Sequence, residues 1–380
     1  MQTDIGQLRA RERLVHWWDS GKIPHAILLK GKQGWGNLAL ARDFIQYIFC
    51  TQKQGSNACG QCDNCKKNQK SAHPDVHFTF PAISPKSGVK AMSHYFLPQF
   101  REFTQQFPYG TSWDWLQFIQ SENRQGNISA EECRQIIDQL NLTAYEGGWK
   151  IQVVWMPEYL RENGNILLKL IEEPPAKTLL ILVAEQTEMI LPTILSRVQL
   201  VHLQPLDATF IAEKLAVLYP ESNVQTRLQV AQWAQGDMNI AQKMLEAGVN
   251  NYLDMVKDWF NGIFGNNQFN LIHEFVEEAH HLGREHIKAI LTYAQQLIGH
   301  LVRLKYQSGV LDQLVKEEAD FLNRFQKLPV DVDQLLAMQN AIAEVVYFIE
   351  RNVHTKTQLM ALSIRVQAIY RKTPILSETL

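Results

Sequence analysis

The sequence predicts an α/β domain of the phosphate-loop type, built on a parallel sheet and carrying a metal module, with two all-α domains after it. Three observations lead there. A strand, a glycine-rich turn and a helix follow one another between Ala26 and Phe49, the order that opens phosphate-binding α/β folds. Four of the five cysteines fall between Cys50 and Cys65. Strands alternate with helices as far as Pro205, and every periodic segment beyond it reads as helix, so the sheet is expected to end there.

Residues 6–21 form an amphipathic pattern, with Leu8, Leu14, Val15 and Trp18 on one stripe. Ala26-Ile27-Leu28-Leu29 is a short unbroken apolar run, as in a strand buried on both faces. The turn Gly31-Lys32-Gln33-Gly34-Trp35-Gly36 follows, then a helix over Leu38–Phe49 with Leu40, Ala41, Phe44, Ile45 and Ile48 inward. Ile128–Leu142 reads as helix, Lys150–Trp155 as strand, Ile166–Ile171 as helix, and Thr178–Ala184 and Val198–Leu203 as strands. Such alternation implies a parallel sheet covered on both faces. The expected domains are 1–205, with the metal module at 50–65 and an insertion at 78–127, then a small helical domain at 206–265 and a helical domain at 266–380. The second boundary rests on the Gly and Asn cluster at Gly262–Asn267. The insertion is rich in aromatics (Phe96, Phe100, Phe103, Phe107, Tyr109, Trp113, Trp115, Phe118). It reads as a helical segment packing those rings on the domain, with a partner-binding surface as the alternative.

Hydrophobic residues make up 46% of the 380 and charged residues 20%, enough apolar surface for real cores and too much for a disordered chain. The formal net charge of −2 argues against a protein whose main task is coating DNA, which carries a strong basic excess. The N-terminal residues lack an apolar leader and no unbroken run of roughly 18 apolar residues occurs, so a soluble, cytoplasmic protein with no membrane segment is expected.

A working phosphate loop reads G-x-x-x-x-G-K-[ST]: backbone N–H groups cradle the phosphates, the lysine neutralises them and the hydroxyl holds magnesium. Gly31 and Gly36 keep the spacing, with Gly34 between them, but Asn37 stands at the lysine position and Leu38 at the hydroxyl position. Neither can do that chemistry. Cys50, Cys59, Cys62 and Cys65 give C-x8-C-x2-C-x2-C in a turn-rich segment. Short C-x2-C steps let a backbone wrap one zinc ion, and four thiolates leave no open position for catalysis. Cys133 stands alone on a helix and reads as a small packed hydrophobe.

These features occur with Pro24-His25-Ala26 before the first strand and His73-Pro74-Asp75 after the cysteines. Further on come Leu167-Leu168-Lys169-Leu170-Ile171-Glu172-Glu173-Pro174-Pro175 and Leu191-Pro192-Thr193-Ile194-Leu195-Ser196-Arg197. In this order the motifs resemble the AAA+ domain of bacterial DNA polymerase III clamp-loader subunits, over roughly residues 5–205. The last two are similar to the family's LLK-x-LEEPP segment and its Ser-Arg-Cys motif, with Val198 in the third place.

The departures all point one way. The family's acidic pair falls on Trp155-Met156, with Glu158 displaced beyond Pro157, and its polar sensor falls near Ala184-Glu185. Gly236-Asp237-Met238-Asn239-Ile240-Ala241 resembles the second sensor segment, with Asn239 where an arginine would reach the phosphates. Phosphoryl transfer is mostly electrostatic stabilisation, so the resemblance narrows to the delta-prime group: a subunit with no functional ATP site, carrying structural zinc. It implies gamma/tau-type ATPase and delta-type partners, action on the sliding clamp and primed DNA through the complex, and a trans-acting arginine at Arg197, beside Ser196. The alternative for Arg197 is a surface arginine paired with a local carboxylate. The stripe Ile287, Ile290, Leu291, Ala294, Leu297, Ile298, Leu301 either joins a collar of subunits or forms an ordinary core. Against an active gamma-type ATPase stand Asn37 and Leu38. Against a zinc-containing nucleic-acid module stand the near-neutral charge and the lack of an aromatic–basic pattern.

Overall fold

Residues 26–30 pair with two strands that lie far away in sequence, and that pairing organises the first half of the chain. The computed structural model describes residues 5–372 except 87, 122, 123, 147, 266–268, 307–313, 315, 351 and 352. The chain forms two compact units, Met1–Phe210 with Gly236–Asn239, and Ile211–Gln235 with Ile240–Leu380.

The first unit holds a sheet of strands β1 (Ala26–Lys30), β2 (Val76–Thr79), β3 (Lys150–Trp155), β4 (Thr178–Ala184) and β5 (Gln199–His202). All pairings are parallel, in the order β2-β3-β4-β1-β5. β3 and β4 are buried at every position, which is why β4 reads as a nearly continuous apolar run, while β3 buries Lys150 and Gln152 among its apolar residues. Period two sends Ile27 and Leu29 to one core and Ala26 and Leu28 to the other. Around the sheet lie helices α1 (Leu8–Asp19), α2 (Asn37–Phe49), α3 (Asp63–Gln69), α4 (Leu97–Gln106), α5 (Ser112–Phe118), α6 (Ala130–Asn141), α7 (Leu168–Glu172) and α8 (Pro192–Leu195).

The sequence reading missed β2 and began the insertion at residue 78. Phe78 and Thr79 instead belong to the edge strand, paired with Val153 and Val154. Four residues, one of them His77, are too few to show a period. Beyond the strand the insertion packs inward as expected: Phe80, Phe100, Phe103 and Trp115 are buried together, with the Trp115 indole N–H donating to Pro81 O at 2.7 Å.

Helix α9 (Ala208–Leu218) leads from the first unit into the second, and α10–α17 follow. These are Val224–Trp233, Met238–Ala247, Val249–Phe264, Phe269–Leu282, Arg284–Leu304, Lys316–Phe325, Val332–Glu350 and Thr355–Arg371. The stripe on α14, from Ile287 to Leu301, is buried within this unit, so it is core and not an open face. The boundary expected near residue 265 falls beside 266–268, outside the described residues. Among the described residues no helix is long and apolar enough to cross a membrane.

Candidate metal centre and the closed phosphate loop

Cys50 closes the C-terminus of α2, Cys62 caps the N-terminus of α3 and Cys65 lies in its first turn, so two helix ends bring three of the sulfurs together. With Cys59 the four Sγ atoms lie within 4.8 Å of one another. Cys59 and Cys65 Sγ are 3.9 Å apart, and thiolates on a tetrahedral zinc would be separated by about 3.8 Å. Backbone N–H groups already point at the sulfurs: Cys59 N at Cys50 Sγ (3.2 Å), Cys62 N at Cys59 Sγ (3.3 Å) and Gln61 N at Cys59 Sγ (3.4 Å). Such donors favour the thiolate. The N–H groups of Cys62 and Gln61 lower the Cys59 pKa. At Cys62 burial opposes ionisation, but the N–H groups of Cys65 and Thr51 and the Thr51 hydroxyl outweigh it and bring the thiol to about 6. Burial and the neighbouring sulfurs push Cys65 up, the result expected of the innermost sulfur in a cluster of like groups. The cluster could hold a metal ion, and a tetrahedral thiolate-binding ion fits its donors. Asn64 Nδ2 to Phe49 O (3.1 Å), Lys67 to Glu146 (2.5 Å) and Arg11 Nη2 to Ser56 O (3.0 Å) moor the module. Cys133 is fully buried in the core, and burial raises its pKa to about 12.

The glycine turn lies at the carboxyl end of β1, where open α/β sheets bind ligands, and leads into α2 through Gly36 in the left-handed region at φ 84°. Its interior is taken. The buried Asn37 side chain donates from Nδ2 to Gly31 O at 2.7 Å, with Lys32 O and Ala184 O each at 3.4 Å. Leu38 is buried in the core. Gln7 Nε2 donates to Trp35 O at 3.0 Å, and Met238 N donates to Gly34 O at 3.1 Å. Gly34, at φ 70°, faces Asp237 so closely that a Cβ there would collide with the carboxylate. A Cβ on Gly36 would lie 2.9 Å from the Tyr109 ring and 3.0 Å from Ile5.

The end of β3, where the acidic pair is expected from the resemblance, carries other side chains. Trp155 is buried, and its ring packs on Phe100 and Phe103 of the insertion. Glu158 accepts N–H bonds from Glu185 and Gln186, both at 2.6 Å, tying the end of β3 to the end of β4. Its other oxygen is buried without a partner among the described residues, and burial raises its pKa to about 7. Asn239 Nδ2 donates to Asp114 Oδ2 at 2.8 Å. Arg197 is part-exposed. Its Nε is hydrogen-bonded to Glu172, and its Nη1 donates to Thr193 O (2.9 Å) and Ser196 Oγ (3.1 Å).

A family model described as DNA polymerase III, delta subunit, matches residues 6–207, more than half of the chain. The chain belongs to this clamp-loader family. It is 28% identical over 197 residues to the DNA polymerase III subunit delta' of Escherichia coli K12 (51% of this chain, 46% of that one). To the delta' subunit of Yersinia pestis it is 30% identical over 188 residues (49% and 43%). To subunit tau/gamma of Haemophilus influenzae it is 23% identical over 250 residues (64% and 30%). The chain spans about half the length, or less, of these curated relatives.

Within this family member the motif residues fall into three groups. The cysteines converge; Gly31, Gly34, Gly36, Asn37, Asp237 and Asn239 gather around the loop; and Ser196 and Arg197 stand with Glu172. Sequence reasoning did not name Asp114, and it quoted Tyr109, Asp237 and Glu172 only as members of longer segments, with no part of their own in a site. Thr111 and Asp114 did carry a local signal, an N-cap followed three residues later by an acid, and they form a capping box on α5. The contacts of Tyr109 and Asp237 with the loop have no counterpart in local sequence.

Proposed function

We propose that this chain is a catalytically silent AAA+ subunit of a DNA polymerase III clamp loader. In this reading it acts in the cytoplasm, helps load the sliding clamp on primed DNA beside gamma/tau-type and delta-type subunits, and holds structural zinc on Cys50, Cys59, Cys62 and Cys65. Residues 206–265 act as the small helical domain and 266–380 as the collar. The chain has no ATPase of its own and contributes Arg197 to a neighbour's ATP site.

The observation that carries the reading is Asn37. A lysine there would extend toward phosphate, whereas the Asn37 amide turns back onto Gly31 O at 2.7 Å and fills the turn. Two further losses agree with it: an indole, Trp155, sits where an acid would hold magnesium, and Asn239 is bonded to Asp114 where an arginine would reach phosphate. Arg197 survives on the surface with a fixed positive charge that suits phosphate oxygens. Calorimetric titration of the full chain with magnesium–ATP tests the silent site. No heat of binding at millimolar nucleotide is expected, and micromolar affinity overturns the reading.

A further inference from the structure

The aromatic insertion has no assigned role, and its contacts suggest one. Four of its residues meet the remains of the nucleotide site. Phe100 and Phe103 pack at a tilt against Trp155, at the place of the lost acidic pair, with ring centroids 5.7 and 6.0 Å away. Tyr109 closes over Gly36 at the entry to α2 and reaches toward Ile5 O at 3.5 Å. Asp114 accepts the Asn239 amide at 2.8 Å while also capping α5 through Thr111 N (2.9 Å) and Thr111 Oγ1 (2.8 Å). The segment so gripped, Gly236–Asn239, donates from Met238 N to Gly34 O at 3.1 Å and lays the Asp237 carboxylate against Gly34. Loop, segment and insertion thus close one ring of contacts within the first unit.

We propose that the insertion is an internal strap: it holds segment Gly236–Asn239 against the phosphate loop, as a bound nucleotide would in an active site. The chemistry is matched. Backbone N–H groups and a helix N-terminus favour a nearby anion, and the chain supplies one as Asp237, whose charge would also repel a polyphosphate at the same spot. In an active site, loops and domains close around the bound substrate. Here the same elements are joined by side chains of the chain itself, so the closed arrangement is independent of ATP. This inference deepens the reading of a silent site and rests on it.

Hydrogen exchange of the full chain, read by mass spectrometry with and without magnesium–ATP, tests it. Amides of residues 31–37 and 236–241 should be protected in the wild type, equally in both conditions. Asn239→Ala removes the bond to Asp114 and leaves the α5 cap in place. Asn239→Asp adds like charge at the same contact, and Tyr109→Ala uncovers Gly36. All three should speed exchange in residues 236–241, the two Asn239 variants by about tenfold or more, the loss expected for one hydrogen bond to a charged group, while β3 and β4 keep their protection. Unchanged exchange at 236–241 in Asn239→Ala and Asn239→Asp overturns the strap even if Tyr109→Ala fails to fold. Protection that rises on adding ATP to the wild type would instead sink the silent-site reading, so the two failures are distinct.

Discussion

Asn37 Nδ2 stands 2.7 Å from the Gly31 carbonyl oxygen, joining the lysine position of the phosphate-loop pattern to its first glycine. The bond fills the turn with the chain's own amide. Replacing Asn37 with Lys and Leu38 with Thr restores the letter of the motif, but Trp155 still occupies the acid's place and Asp237 still faces Gly34. The double variant should show no ATP turnover above background and no tight magnesium–ATP binding by calorimetry. Turnover from these two changes alone would mean that the acidic pair is dispensable, contrary to the electrostatics of phosphoryl transfer.

The cysteine cluster makes a separate prediction. Elemental analysis of the purified chain should give one zinc per molecule, and the joint change Cys59→Ser, Cys62→Ser should abolish it. A bound ion would hold this module from inside, since residues 51–64 supply no buried apolar side chain of their own. Chelation should therefore expose residues 50–70 to protease before the sheet unfolds. Protein that contains no zinc when purified without chelator would refute the assignment.

Glu158 predicts a pH dependence. Burial raises its carboxyl from 4.5 to about 7 in the folded chain, so between those values the folded state binds the proton that the unfolded state has lost. The linked stability is fully present below pH 4.5 and falls as pH rises through about 7. The loss is at most about 3 kcal/mol. Glu158→Gln keeps an acceptor for the N–H groups of Glu185 and Gln186 and removes the titration. Denaturant titrations should find the variant more stable than wild type at pH 8 and close to it at pH 5. Parallel stability curves across that range would show that the carboxyl is not held protonated.

How far the sequence foretold this structure depends on the range of the interactions. The central strands were legible because burial on both faces leaves mostly apolar residues, as at Leu179–Ala184. The cysteine spacing was legible because chelation by a short loop is a local event. β2 was not, since its membership in the sheet is decided by its pairing with Ile151–Val154 and not by its own four residues. The α14 stripe showed a helix with one apolar face, but periodicity cannot say what covers that face. The closure of the loop was hidden for the same reason. Asn37 disclosed the missing lysine, yet the contacts of Gly34 with Asp237 and of Asn239 with Asp114 span 203 and 125 positions of sequence.

Arg197 carries the last prediction, and Glu172 sharpens it. The guanidinium is held on two edges, by Glu172 at Nε and by Thr193 O and Ser196 Oγ at Nη1, and Nη2 has no partner among the described residues. A surface ion pair contributes little to stability, so if it serves only the fold, Arg197→Ala should change nothing beyond a small loss in melting temperature. A trans-acting role predicts otherwise. An arginine that must meet a neighbour's phosphate loses side-chain entropy on binding, and anchoring two edges removes much of that cost beforehand. Complexes reconstituted with Arg197→Ala should assemble and keep their zinc, but phosphoryl transfer at the one adjoining site should slow by about 10³-fold or more. Glu172→Ala should lower kcat by a smaller factor with KM for ATP unchanged, because the charge remains while its orientation is lost; Glu172→Gln, which can still accept from Nε, should recover part of it. Single-turnover hydrolysis on primed DNA separates the adjoining site from its sister sites. Normal rates with Arg197→Ala would end the trans-acting reading, whereas a defect in Arg197→Ala beside full activity in Glu172→Ala would leave the arginine in its role and remove Glu172 from it.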